Sequence, residues 1–214
     1  MKLEKQVNRS HYDFFTYMKA PRWNSLWHQL DVVSSLKPET VLELGPGTGM
    51  FTTLMSHLGM HIETVDIDPE LEPDYVANAT ELPFDDDSFD VVCAFQVLEH
   101  MPFEMALAAL DELARVACRN VVISLPDSRR SWRYLIHFPR LGERGLLVPR
   151  PQFSAPEHRF DGEHYWEINK KGYELSQVTK AFLASGAVEL VRTFRPFENP
   201  YHRFFVFSKT SRQG

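Results

Sequence analysis

A five-residue apolar run, Thr40-Val41-Leu42-Glu43-Leu44, ends in Gly45-Pro46-Gly47-Thr48-Gly49, and this junction narrows the possible folds more than any other stretch. A short apolar run bounded by glycine reads as a buried strand entering a turn. Glycines at such a turn permit positive φ and let a ligand approach bare backbone. The dinucleotide fingerprint is G-x-G-x-x-G, whereas here the third glycine comes one residue early. Glu43 stands two residues before Gly45, beside the place a diphosphate occupies in a dinucleotide fold. A carboxylate there repels phosphate and suits a ligand with an ammonium group. The competing reading is a tight turn with no ligand.

The pattern downstream alternates strand and helix. Residues 48–57 read as a helix and 61–66 as a second strand. That strand ends in Asp66, placed to accept ribose hydroxyls. Asp68-Pro69 fits a helix cap and first turn. A weak third strand (74–79), a strong fourth (89–95), a helix (103–117) and a fifth strand (120–125) follow. After a break come a helix (170–185) and two strands, 188–194 and 203–208. The link between the last two is too short for a parallel crossover, so they are expected to be antiparallel. The expected fold is α/β: a Rossmann-like, mostly parallel seven-stranded sheet with one antiparallel strand and helices on both faces. Residues 67–73 are too few for a full crossover helix, so the sheet is expected to be thinly covered there.

At 214 residues the chain is expected to form a single domain. Residues 1–37 would form an N-terminal helical cap, with Trp23, Leu26, Trp27, Leu30 and Val33 on one face. Residues 38–126 would be the ligand-binding core, 127–168 an irregular lid inserted after the fifth strand, and 169–214 the closing helix and strand pair. The net charge of −6 counts against a nucleic-acid partner. No apolar run reaches the roughly 20 residues of a membrane span, and the N-terminus lacks the apolar region of a secretory signal. Cys93 and Cys118 make no disulfide framework, so a reducing cytoplasm is the expected location.

In order and spacing, LELGPGTG, VDIDPE, ANATELPFDDDSFDVV, FQVLEHMP and VVISLPD resemble the class I S-adenosyl-L-methionine-dependent methyltransferases, particularly the type 11 group. The likeness is strong over 38–128 and weak over 165–208. It implies S-adenosyl-L-methionine as cofactor, with Glu43, Gly45, Gly47 and Gly49 at its methionine end. Asp66 and the adjoining Ile67 would serve the ribose end, Asn78 and Ala79 the adenine, and Gln96 the region near the methyl group. The short 67–73 connection implies a more open adenine pocket than in relatives. The implied reaction is in-line methyl transfer to a small-molecule acceptor.

His100 is the candidate general base, because imidazole titrates near neutral pH; in the family this LEH is widespread and often structural. Glu99-His100 offers too few ligands for a metal. His158, Glu163 and His164 lie in a loop without metal-site spacing, so no metal is expected. Residues 129–159 hold seven arginines and two glutamates. Arg129, Arg130 and Arg133 are candidates to hold an anionic acceptor, against a solvated basic face. His164 and Trp166 are candidates to line the acceptor pocket or to pack the lid. The aromatic stretch 11–17 offers Tyr12 and Tyr17 as pocket residues facing a sulfonium. Three rivals stay open. A nucleic-acid or protein methyltransferase could use the same fold, although the Asn/Asp-Pro-Pro-aromatic loop is missing after the fourth strand. A cofactor-binding interaction protein without catalysis would share every motif. A dehydrogenase is disfavoured by the glycine spacing and Glu43.

Overall fold

Alternation along buried strands decides which face each side chain serves. In β1 (Thr40–Leu44), Leu42 and Leu44 enter one core cluster while Val41 enters the other. The same alternation runs through β4 (Phe89–Phe95): Val92 and Ala94 turn one way, Val91, Cys93 and Phe95 the other. The computed structural model describes residues 17–140 and 142–210.

The remaining elements are α1 (Ala20–Ser35), α2 (Met50–His57), β2 (His61–Asp66), β3 (Tyr75–Val76), α3 (Phe103–Val116), β5 (Ala117–Pro126), β6 (Ser131–Phe138), β7 (Gly142–Pro149), α4 (Leu175–Phe182), β8 (Val188–Phe194) and β9 (His202–Lys209). Seven strands form one sheet in the order β3-β2-β1-β4-β5-β9-β8. Neighbours from β3 to β5 are parallel, and β9 runs antiparallel to both β5 and β8. This is the expected Rossmann-like sheet. One core cluster packs under α3 and α4, the other under α1 and α2.

The chain leaves β1 toward β2 and β3, then returns to lay β4 on the other side of β1. A reversal of strand order opens a crevice at the carboxyl ends of the two central strands, where α/β sheets bind ligands. Gly45 follows β1 and Gln96 follows β4, so both stand at this crevice.

Three expectations need correction. Residues 127–168 are not irregular throughout, because β6 and β7 pair antiparallel over their full lengths as a separate two-stranded sheet. Trp132, Tyr134, Ile136 and Phe138 alternate along β6 but stay exposed, so the strand has no buried face to advertise it. β3 keeps two residues instead of six, because Asn78 Oδ1 accepts from the backbone and hydroxyl of Thr80 and turns the chain. The last helix starts at Leu175, after a turn in which Gly172 has φ +83°. No helix bridges β2 and β3; a single 3₁₀ turn, Pro69–Leu71, is capped by Asp68, whose carboxylate accepts from Glu70 N–H.

Candidate functional site

The crevice widens into a cleft of about 1260 Å³, part of it open to solvent. Glu43, Gly45 and Gly47 line it. Glu43 lies on the α1/α2 side of β1, buried at 3% exposure, and its Oε2 accepts the Thr52 hydroxyl from the first turn of α2. Burial raises the Glu43 carboxyl to about 7, against the lowering effect of Thr52. Gly45 has φ +73°, and a Cβ there would meet Val97 Cγ2 at 2.5 Å. Both the turn and the close approach therefore require glycine. Gly49 caps α2 with φ +68° and does not line the cleft.

Asp66 and Ile67 line the next part. Asp66 Oδ1 accepts Asp68 N–H at 2.8 Å, and partial burial raises its carboxyl above the ordinary range. Ala77, Ala79 and Leu71 give an apolar wall beyond it. Asn78 does not line the cleft; its side-chain carbonyl serves the Thr80 turn. Gln96 does line it, in the left-handed region at φ +59°, with Nε2 donating to Ser124 Oγ at 3.2 Å. A non-glycine residue held there at a strand end marks a place where the backbone is shaped for a site rather than for stability.

His100 and Tyr17 line the far end, together with Arg22 and His202, which sequence reasoning missed. The Arg22 guanidinium stacks over the Tyr17 ring at 3.8 Å and donates to its hydroxyl. Among the described residues Arg22 is the cationic side chain of this cleft. His202 is buried and pushed down to about 3 by burial, hence neutral. It lies 106 positions after Gln96 on β9, so no local signal could have placed it. Glu99 is fully buried, and burial raises its carboxyl to about 8.

The basic segment sits elsewhere. Arg129, Arg130 and Arg133 do not line the cleft. Arg133 donates to the Glu198 carbonyl at 2.9 Å, and Arg129 N–H donates to Asp127 Oδ1. The carbonyl of Arg130 accepts from Arg150 N–H across the hairpin. Trp166 is a core residue, fully buried, with its indole N–H on the Met101 carbonyl. His164 stands behind His100, ring centroids 5.1 Å apart. Tyr12 lies outside the described residues.

Residues 42–125 match the family model described as a methyltransferase domain. No curated protein matches the sequence. Among solved structures, 1,6-didemethyltoxoflavin-N1-methyltransferase from Burkholderia thailandensis, with S-adenosylhomocysteine and its substrate bound, is similar at 15% identity and TM-score 0.61, covering 94% of this chain and 85% of that one. Magnesium protoporphyrin IX methyltransferase from Synechocystis, with S-adenosylhomocysteine bound, is similar at 17% identity and TM-score 0.57, covering 97% and 90%. A Pyrococcus horikoshii protein reaches TM-score 0.61 at 15% identity, covering 95% and 100%. At these identities the likeness establishes the fold.

Proposed function

We propose that this chain, a class I S-adenosylmethionine-dependent methyltransferase, passes the methyl group to a small-molecule acceptor bound at the Arg22 end of its cleft. The residues present fit the cofactor. A buried, unneutralised carboxylate at Glu43 stands beside bare glycine backbone and suits an α-ammonium group, while a diphosphate would be repelled. Asp66 presents a carboxylate at the cleft wall that suits ribose hydroxyls, and Ala77, Ala79 and Leu71 suit an adenine face. The observation that carries the reading is Glu43 itself, buried in the cleft wall without a cationic partner among the described residues.

When bound, the cofactor supplies an electrophilic methyl group on a sulfonium. The protein's part is to orient the acceptor for in-line attack and to exclude water. Gln96 and Tyr17 both line the cleft. His100 donates through Nδ1 to the Glu163 carbonyl at 3.0 Å, which orients its ring at the cleft wall. Arg22 offers a guanidinium to an acceptor carrying an anionic group.

The net charge of −6 disfavours a polyanionic partner. No helix among the described residues is long and apolar enough to cross a membrane. Cys93, buried, and Cys118, exposed, are both free, which suits a reducing cytoplasm. Incubation with methyl-tritiated S-adenosylmethionine, followed by separation of small molecules, nucleic acid and protein from a cell extract, tests the reading. Label is expected in the small-molecule fraction. Label confined to nucleic acid or protein would overturn it.

A further inference from the structure

The basic stretch that the cleft leaves unused coincides with an exposed apolar sheet face. Residues 129–150 hold six arginines and one glutamate, a net +5 in a chain of net −6, so the remainder carries −11. Most of this stretch is the β6–β7 hairpin, eight residues in each strand. Its register sorts the side chains onto two faces. One face is fastened to the segment after β8. The Phe197 ring lies on Gly145, where a Cβ would come within 2.7 Å of it. Arg133 donates to the Glu198 carbonyl, and Arg195 to the Ser131 hydroxyl at 3.1 Å.

The other face looks away from these contacts. Trp132, Tyr134, Ile136 and Phe138 stand on it from β6, opposite Val148, Leu146, Arg144 and Gly142. Trp132, Tyr134, Ile136, Phe138 and Leu146 are between 41% and 52% exposed, and none of them joins either core cluster. A contiguous apolar face left on the surface of a folded chain marks an interaction site. Cations rim it. Arg144 stands on the face, Arg140 lies in the turn at its tip, and the Arg150 guanidinium is 5.8 Å from the centre of the Trp132 ring. The hairpin's single carboxylate, Glu143, falls on the fastened face, opposite His137.

We propose that this outer face seats the protein on an anionic phospholipid bilayer. Tryptophan and tyrosine settle at the boundary between headgroups and acyl chains, where one end of the ring is dry and the other wet. Arginine adds attraction to the lipid phosphates. The uneven charge sets the orientation, since the bilayer draws the +5 hairpin and repels the −11 remainder. A second copy of the chain is the weaker occupant, because a two-fold contact would set two +5 hairpins against each other. The hairpin lies in the headgroup layer and does not cross it. Its strands are roughly 25 Å long, and each keeps an open edge whose polar groups hydrocarbon would leave unsatisfied. This docking surface is independent of the methyl-transfer reading.

The test sediments the full chain with sucrose-loaded vesicles, either of phosphatidylcholine alone or of phosphatidylcholine with an equal part of phosphatidylglycerol. The mixed vesicles are expected to bind the protein at least about tenfold more tightly than the neutral ones. Arg140→Gln combined with Arg144→Gln should weaken binding to the mixed vesicles about tenfold or more, since each arginine at an anionic surface is worth roughly a fivefold change in partition. Trp132→Ser combined with Phe138→Ser should weaken it by about as much, through the loss of the apolar contact. All four side chains are exposed, so both double variants should melt at the parent's temperature. Absence of binding, equal binding to the two kinds of vesicle, or binding that neither double variant weakens would overturn the proposal. So would a dimer in sedimentation velocity that Trp132→Ser with Phe138→Ser turns into a monomer, because a second copy would then cover the face.

Discussion

Thr52, one turn into α2, gives its hydroxyl to the carboxylate of Glu43 at the end of β1, joining the two elements that flank the glycine turn. The bond orients a carboxylate that burial alone would leave protonated near neutral pH.

Binding of the cofactor is expected to depend on pH through Glu43. Its carboxyl is raised from 4.5 to about 7, and the ionised form is the one that holds an ammonium group. With a midpoint near 7, the dissociation constant of S-adenosylhomocysteine should rise about tenfold from pH 8 to pH 6. Glu43→Gln should weaken binding and flatten this dependence. The sign for stability is opposite. A raised folded-state pKa favours the folded form fully below 4.5, and that contribution is lost as pH rises through 7. Without ligand, Glu43→Gln should therefore melt higher than the parent at pH 8, and calorimetric scans at pH 5 and 8 would check this.

Gly45→Ala should cost both stability and ligand affinity. Its φ of +73° and the 2.5 Å approach to Val97 Cγ2 leave a methyl group no room. Left-handed backbone alone costs a β-carbon-bearing residue roughly 1–2 kcal/mol. Adding Val97→Ala should relieve the collision but not the backbone strain, so a double-mutant cycle on S-adenosylhomocysteine binding should show partial recovery. Simple additivity would contradict the contact.

Arg22, not the hairpin arginines, should govern the affinity of an anionic acceptor. Arg22→Gln is expected to raise KM for such an acceptor about tenfold, since a charge-assisted contact is worth more than one kcal/mol. Arg133→Gln should leave KM unchanged, because that side chain is committed to the Glu198 carbonyl. Steady-state kinetics of the two variants would decide, and a reversed order would return the acceptor to the hairpin.

Asp127 should be a stability residue. It is buried and holds Arg203 at 2.7 Å, Arg195 at 3.6 Å and the Asn169 amide at 2.8 Å. Asp127→Ala would leave two largely buried guanidiniums without their shared anion. Breaking a buried pair from one side costs about 3–5 kcal/mol, or a Tm lower by on the order of 10 °C for a chain of this size. A scan showing no loss would contradict the burial of this network.

The sheet was readable because its signals are local. The runs at β1 and β4 end where glycine or a polar residue interrupts them, and buried parallel strands carry near-continuous apolar sequence. The glycine turn and Asp66 were legible for the same reason. The far end of the cleft was not. Arg22, His202 and the partners of His100 are joined only by tertiary packing across α1, β9 and the loop after the hairpin. Arg129, Arg130 and Arg133 were conspicuous by composition, yet the fold uses them at the base of the hairpin. Trp166 stood as a candidate either for the pocket or for packing the lid, since loops so often carry function. Its stretch instead folds back into the core beside Phe103 and Phe182.

Isothermal titration of the purified chain tests most directly whether the cleft takes an amino-acid tail in place of a diphosphate. S-adenosylmethionine and S-adenosylhomocysteine should each bind with one-to-one stoichiometry, while NAD gives no heat of binding. Clear binding of NAD, with both sulfur ligands silent, would contradict the account.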